Sequence, residues 1–420
     1  MQWRPRGCCV VPTDRPAWVG AGTRGVSVEM GSLRSSLTVD FVTSLSHLEP
    51  ETWNRLAGEN DPFLEWEWLA SLEEANCSVP STGWHPRYVL VRAPEGIVGA
   101  CPVYIKDHSR GEFVYDFSWA EAAAHVGIRY YPKLLVGVPF TPVTGPRLLV
   151  ARGYEAVVLP LLAETLVELC ERGQCSSVHV NFCTASEAEL LRCHGFLVRE
   201  GYQFHWNNRG WSSFEEFLGA LRAKRRNQIL RERRALRESG IEMRVVVGED
   251  VTPALMDSMY RLYLTTVDKY FWGQRYLSPE LFRLLAARWR QRLCLSLAYR
   301  GRRLVAGALA VRGKSVLFGR YWGAFEEHRF LHFEVCYYRL LEFCLAEGVE
   351  RFEPGAGGEF KELRGFAPAR TYSAHYLRDP RLRRAIARFV EQERWAIEKE
   401  LQWWAEHSSY RRGFDDSAKE

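Results

Sequence analysis

From residue 38 onward, apolar and polar positions fall into short regular runs. Residues 38–41 alternate with a period of two and predict a strand. Residues 51–57 and 66–75 repeat their apolar positions every three to four residues and predict amphipathic helices. Residues 87–92 and 97–105 predict two strands joined by a turn at 93–96. A strand at 114–119 and a short helix at 120–126 follow. The stretch 139–146 carries too much Pro and Gly for a helix. Beyond it come a helix at 154–172, a strand at 177–182, a helix at 186–193 and a strand around 202–207.

The second half repeats that style. One long helix is predicted over 214–239, a strand over 242–247, and helices over 253–270 and 279–290. Strands follow at 293–299, 304–311 and 315–325, then a helix at 331–347, strands at 351–354 and 370–375, and a terminal helix at 381–407. This order predicts an α/β fold with mixed sheets, in two similar domains. The boundaries are a leader at 1–37, a first domain at 38–208, a second at 209–380 and a C-terminal helix and tail at 381–420.

Composition narrows the class. Hydrophobic residues make up 47% and charged residues 25%, which excludes a disordered chain or a fibre. A net charge of +5 is too mild to mark a nucleic-acid binder by itself. No run of 18 uncharged apolar residues predicts a membrane span. The eleven cysteines include no C-x-x-C pair and read as free thiols in a reducing, cytoplasmic compartment. Cys170, Cys175, Cys183 and Cys193, with His179 and His194, lack the tight spacing of a zinc site, so no metal is expected. The Arg-rich leader has no secretory pattern; it reads as a start set too early, with Met30 the true one, or as an organelle transit peptide over 1–29.

Several phrases resemble the GNAT-related peptidogalycan biosynthesis/recognition family of N-acyltransferases. They are TGWHP (82–86), YIKDHSRGEF (104–113), YYPK (130–133), VPFTPVTGPR (138–147), QFHW (203–206), GRYWG (319–323), LHFE (331–334) and EPGAGGEFK (353–361). More distantly, KRRNQI (224–229), Lys361 and Arg364-Gly-Phe366 are similar to Fem-type aminoacyltransferases. The resemblance implies tandem GNAT-like domains and transfer of an acyl or aminoacyl group to an amine, with a link to cell-wall precursors. A catalytically silent module that binds a cell-wall or anionic glycan is the alternative.

Amine acylation needs a base, oxyanion donors and a proton for the leaving group. Glu334 on a helix among aromatics is the first candidate base, with a structural ion pair as the alternative. Glu353 ends a strand before the glycines of residues 355–358, and Gly355, Gly357, Glu359, Lys361 and Arg364 predict a ligand loop. Strict alternation on 315–325 sends Arg320 and Trp322 to one face and Tyr321 to the other, where Tyr321 either protonates a leaving group or packs. His332 joins the substrate-binding set. In the first half Lys106, His108, Lys133 and Arg147 among aromatics suit an anionic, sugar-like or nucleotide ligand, and His205 shares a strand face with Gln203.

Residues 222–237 hold eight cations against Glu232 alone. Lys224, Arg225 and Arg226 either bind a phosphate-bearing ligand (tRNA, a lipid-linked pyrophosphate or an acidic membrane surface) or form a solvated face. The [QR]-x-x-G-x-[GA] turn of acyl-CoA-using GNAT proteins is absent after Phe325. The donor is therefore left between an aminoacyl-tRNA type and an acyl-CoA bound atypically, with no cofactor assigned. The acceptor is a small-molecule or lipid-linked amine, with peripheral membrane contact open.

Overall fold

The computed structural model describes residues 36–59, 61–269 and 273–411. The leader and both start-site readings lie outside the described residues, apart from positions 36 and 37.

The first half runs β1 (Thr38–Val42), α1 (Pro50–Ala57), α2 (Trp66–Glu74), β2 (Trp84–Ala93), β3 (Gly96–Lys106), α3 (Phe117–His125), β4 (Lys133–Val136), β5 (Leu149–Val150), α4 (Glu155–Arg172), β6 (Ser177–Cys183), α5 (Ala185–Cys193) and β7 (Leu197–Asn207). The second half runs α6 (Phe214–Ala220), α7 (Ala223–Glu238), β8 (Ile241–Val247), α8 (Pro253–Val267), α9 (Pro279–Arg288), β9 (Leu293–Arg300), β10 (Arg303–Arg312) and β11 (Val316–Ala324). Then come α10 (Leu331–Phe333), a π-turn (Glu334–Tyr338), α11 (Arg339–Ala346), β12 (Arg351–Glu353), β13 (Ala367–Leu377) and α12 (Pro380–Glu406).

The strands form one mixed sheet in the order β1-β2-β3-β4-β6-β13-β7-β12-β11-β10-β9-β8, with β5 beside β3. Strand β13, late in the chain, lies between β6 and β7, and β7 bonds β12 on its other edge. The two halves therefore share a continuous backbone ladder at β7. On one face α1 and α2 pack against α8 and α9 as a single apolar layer. Trp68 and Trp289 meet with ring centroids 5.0 Å apart, and Phe63 meets Phe318 at 5.3 Å. Burying side chains of this size stabilises by about 1.5–3 kcal/mol each. Helices α4 and α5 cover the opposite face of the first half, and α6 and α11 that of the second.

Three expectations change. Residues 114–119 form no strand, because Asp116 is drawn into a buried polar cluster and α3 begins at Phe117. The helix predicted over 214–239 breaks in two: Leu221 and Arg222 turn extended, Leu221 bridges Tyr410, and Arg222 N–H donates to Ser409 O at 2.9 Å. The alternation on β11 fails because a β-bulge at Arg320 disrupts the ladder with β10. Arg320 and Tyr321 consequently share the α8–α9 face, where the Arg320 guanidinium lies 5.2 Å from the Tyr321 ring, while Trp322 turns to the α10 side.

Candidate functional site

The polar residues of the sheet centre converge where β7, β12 and β11 meet. Strands β11 and β12 run parallel only from Val316↔Arg351 to Phe318↔Glu353. Then β12 ends, while β11 continues along β10 to Ala324. A side chain at Gly319 would press on the Pro354 backbone at 3.1 Å, so glycine permits the strands to approach and then part. A carboxyl strand end at such a parting is where open α/β sheets hold ligands.

Glu353 stands at this end. The antiparallel register Phe352↔Trp206 continues to place Glu353 opposite His205. Both are buried, and Glu353 Oε2 lies 3.7 Å from His205 Nε2. Neither of these atoms has a hydrogen-bond partner among the described residues. Arg351 Nε approaches Oε1 at 2.9 Å without a hydrogen-bonding alignment. Burial pushes the Glu353 carboxyl up to about 7, against the pull of Arg351 and with a further push from Asp61. Burial first, then Arg351 and Lys361, lower His205 to about 3, so its ring is neutral near pH 7. Arg320 Nε and Tyr321 Oη, on the same sheet face, are also buried and have no hydrogen-bond partner among the described residues.

The loop after β12 curls back over this point. Gly355, Gly357 and Gly358 take positive φ, and Lys361 Nζ donates to Gly355 O at 2.6 Å and Ala356 O at 3.4 Å. Burial lowers the Lys361 ammonium to about 8. His332 stacks edge-on against Trp322 at 4.6 Å and, desolvated beside Lys361 and Arg364, falls to about 4. Phe333, Tyr337 and exposed Phe360 complete an aromatic wall beside it. Glu359 is exposed.

Two sequence candidates are tied into structure. Glu334 opens the π-turn, and Arg233 of α7 grips it: Nε donates at 3.0 and 3.2 Å and Nη2 at 2.9 Å. Arg233 also bonds Glu342 at 2.6 Å. Burial raises the Glu334 carboxyl, opposed by Arg233. This is the geometry of the ion-pair alternative. Arg364 bonds both oxygens of buried Glu232 at 3.0 Å and lies over the Phe333 ring.

The first-half candidates form their own cluster. Lys133 Nζ bonds Ser109 and Glu112 at 2.8 Å and Asp116 at 2.5 Å, all buried. Lys106 lies 3.6 Å from the Trp84 ring centroid, and desolvation lowers it to about 7. His108 bonds Thr82 O. Arg147 pins residues 139–147: Nε donates to Asn181 O, Nη2 to Val143 O, and Nη1 reaches Asp61 at 3.3 Å. A Cβ at Gly145 would lie 2.0 Å from the Asp61 carboxylate, so glycine is required there. Asp61 thus links Arg147 to the field at Glu353, a part that the sequence reading missed. Its one signal was Asp-Pro at a turn. Arg351 was missed too, although Arg351 and Glu353 share a face two residues apart.

The same half holds a histidine pair, His179 Nδ1 to His375 Nδ1 at 2.7 Å, flanked by Ser177 and Ser373. Burial lowers His179 to about 3 and His375 well below its usual value. The unfolded chain takes up these protons below about pH 6.5, and the folded chain does not until far lower. Their stabilisation is present above that pH and is lost as pH falls. Glu112 and Glu353, raised to about 7, act in the opposite sense between 7 and their unfolded values. Urea unfolding of His375→Gln followed against pH therefore shows a shallower acid loss of stability than the wild type. An identical slope in the two proteins rules out the histidine pair as its source.

On α7, Ile229, Glu232 and Leu236 face inward. Lys224, Arg226, Arg231, Arg234 and Arg237 make no ion pair among the described residues. Arg225 is half-buried against Gln228 and Glu362. Among the described residues no group of His, Cys, Asp or Glu has the arrangement of a metal site.

The crystal structure of FemX is similar, with TM-score 0.51 and 13% identity, covering 80% of this chain and 98% of FemX. L-PGS from Bacillus licheniformis aligns with TM-score 0.48 and 10% identity over 80% of this chain and 98% of its own. A tandem GNAT protein from the clavulanic acid biosynthesis pathway gives 0.40 and 12%, over 81% and 99%. No curated protein matches in sequence. The FemX likeness shows a shared fold. The sequence profile of the FemAB-like family, described as peptidogalycan biosynthesis/recognition, matches residues 44–412. The chain belongs to that family.

Proposed function

We propose that the protein is an N-acyltransferase that moves an acyl or aminoacyl group to an amine at the parting of β11 and β12. The observation that carries this is Glu353: a buried carboxyl, raised to about 7, with a free oxygen facing a neutral histidine at a strand end. A base with its pKa near the working pH best combines the right protonation state with driving force. An amine entering here meets Glu353 Oε2 and His205 Nε2 together; Glu353 takes its proton as the nitrogen bonds the acyl carbon, and returns that proton to the tRNA hydroxyl or CoA thiol that departs as the donor's acyl bond breaks. Lys361 spends two N–H groups on the loop carbonyls and has a third for the acyl oxygen. Membership of the FemAB-like family supports the reaction class, and cell-wall precursors remain our proposed source of the acceptor. Glu334 then positions α7 against the π-turn through Arg233.

The test incubates the purified chain with aminoacyl-tRNA or acyl-CoA and a panel of amines, with product read by mass spectrometry. Transfer that rises through pH 7 and falls as Lys361 loses its proton supports the reading. Neither transfer nor donor hydrolysis with any donor favours the silent binding module.

We propose further that the unpaired cations of α7 hold the donor's phosphates. Replacing Lys224, Arg226 and Arg231 by Ala reduces the salt slope of tRNA binding by roughly 0.7–0.9 per cation. An unchanged slope returns α7 to a solvated face.

A further inference from the structure

Nine large apolar side chains are strongly exposed among the described residues, and six of them lie on or beside two helices, α3 and α12. Tyr115, Phe117 and Val126 sit on or beside α3; Phe389, Trp395 and Trp403 sit on α12. The two helices pack together through Trp119, Leu382 and Ile386, and Phe389 meets the Trp119 ring edge-on at 6.3 Å. Tyr115 and Phe117 stack at 6.2 Å. Arg199 joins the helices: its guanidinium lies 5.2 Å from the Trp119 ring and 5.8 Å from the Phe389 ring, and it donates to Tyr115 O at 2.7 Å.

Helix α12 spans 27 residues, about 40 Å at 1.5 Å per residue. Its inner stripe, Leu382, Ile386 and Val390, is buried. The opposite stripe, at three- to four-residue spacing, carries Arg384, Arg388, Glu391, Trp395 and Lys399, all exposed, so its cations outnumber its one acid. Arg384 and Arg388 make no ion pair among the described residues, and Lys399 Nζ lies 3.5 Å from the Trp395 ring centroid. Trp395 is 64% exposed, far from the usual fate of a tryptophan.

We infer that the α3–α12 wall docks on an anionic phospholipid bilayer. Rings that are apolar at one end and polar at the other settle at headgroup depth. Unpaired arginines among them match lipid phosphates in charge. The exposed rings of α12 are interspersed with cations, which fits a headgroup layer better than the apolar groove of a protein. No helix among the described residues is long and apolar enough to cross a membrane, so the contact is peripheral. Such docking brings the chain to lipid-linked substrates without any contribution from the acyl-transfer site, and it stands whether or not that site is catalytic.

The experiment is co-sedimentation of the full chain with vesicles of phosphatidylcholine alone, or with about one-third phosphatidylglycerol, at low and high salt. Binding to the anionic vesicles, weakened by salt, is expected. Arg384→Glu/Arg388→Glu lowers it by about tenfold or more, since each cation contributes roughly 1 kcal/mol near the surface. Trp395→Ala/Trp403→Ala lowers it at both salt concentrations. All four positions are exposed, and unchanged melting temperatures establish that the variants fold. The inference is overturned if the wild type does not bind anionic vesicles, if both variants bind as it does, or if only substitutions on α7 reduce binding. A wild-type dimer that the tryptophan variant converts to monomer, with no vesicle binding, also overturns it and assigns the wall to a second copy.

Discussion

Glu353→Gln lowers the rate of acyl transfer by about 10²–10⁴-fold, the usual cost of losing a positioned base. Its effect on stability has the opposite sign. The wild-type carboxyl is raised by burial to about 7, so above that pH the folded protein carries a desolvated charge that the unfolded chain carries in water. The destabilisation is absent below the unfolded value near 4.5 and complete above about 7. Glutamine cannot ionise. The variant therefore melts with the wild type at acid pH and above it at alkaline pH, while single-turnover transfer is slow throughout. A rate near wild type, or a variant destabilised at alkaline pH, removes Glu353 from the base's role. The same variant loses the rising limb of the pH–rate profile near 7, because the group responsible for it is gone.

Much of this site was legible in the sequence, and the unreadable parts have identifiable causes. Glu353 and the glycines after it were visible because a carboxylate at a strand end before a Gly-rich loop is a local pattern. The shared face of Gln203 and His205 followed from period-two alternation on β7. That His205 meets Glu353 was not visible, since it depends on β13 entering between β6 and β7 and on the β7–β12 register, a pairing across some 150 residues. Tyr321 and Arg320 were assigned to opposite faces because no sequence signal marks the bulge between them. The break at Leu221 was hidden because residues 214–239 keep helical periodicity throughout; only the docking of Ser409 and Tyr410 overrides it. Lys133 looked like a ligand for an anion and proved to be neutralised by Glu112 and Asp116, acids that lie within the quoted motif or three residues beyond it but whose inward course a sequence pattern does not show.

Arg233→Met destabilises the protein by about 3–5 kcal/mol, the cost of leaving a buried charge without its partner. Glu334 is 5% exposed and receives three N–H contacts from Arg233. Without them its raised carboxyl either stays ionised in an apolar setting or takes up a proton, and both outcomes cost free energy. Glu334→Gln costs less, because Arg233 retains Glu342 at 2.6 Å and stays half-compensated. The double variant Arg233→Met/Glu334→Gln recovers part of the single Arg233 loss, since it removes the stranded charge as well. Chemical denaturation of the four proteins closes this cycle. Activity separates it from a catalytic role: with Glu334 acting through the α7 contact, turnover per folded molecule of Glu334→Gln stays near wild type. A folded, ligand-binding Glu334→Gln that has lost about 10²-fold or more in rate instead returns the base to Glu334. The π-turn that Glu334 begins sharpens the distinction, because it swings Cys336 and Tyr337 toward Lys361 and Phe360. Loosening the Arg233 clamp therefore displaces that turn and the aromatic wall beside His332, and is expected to raise KM before it lowers kcat.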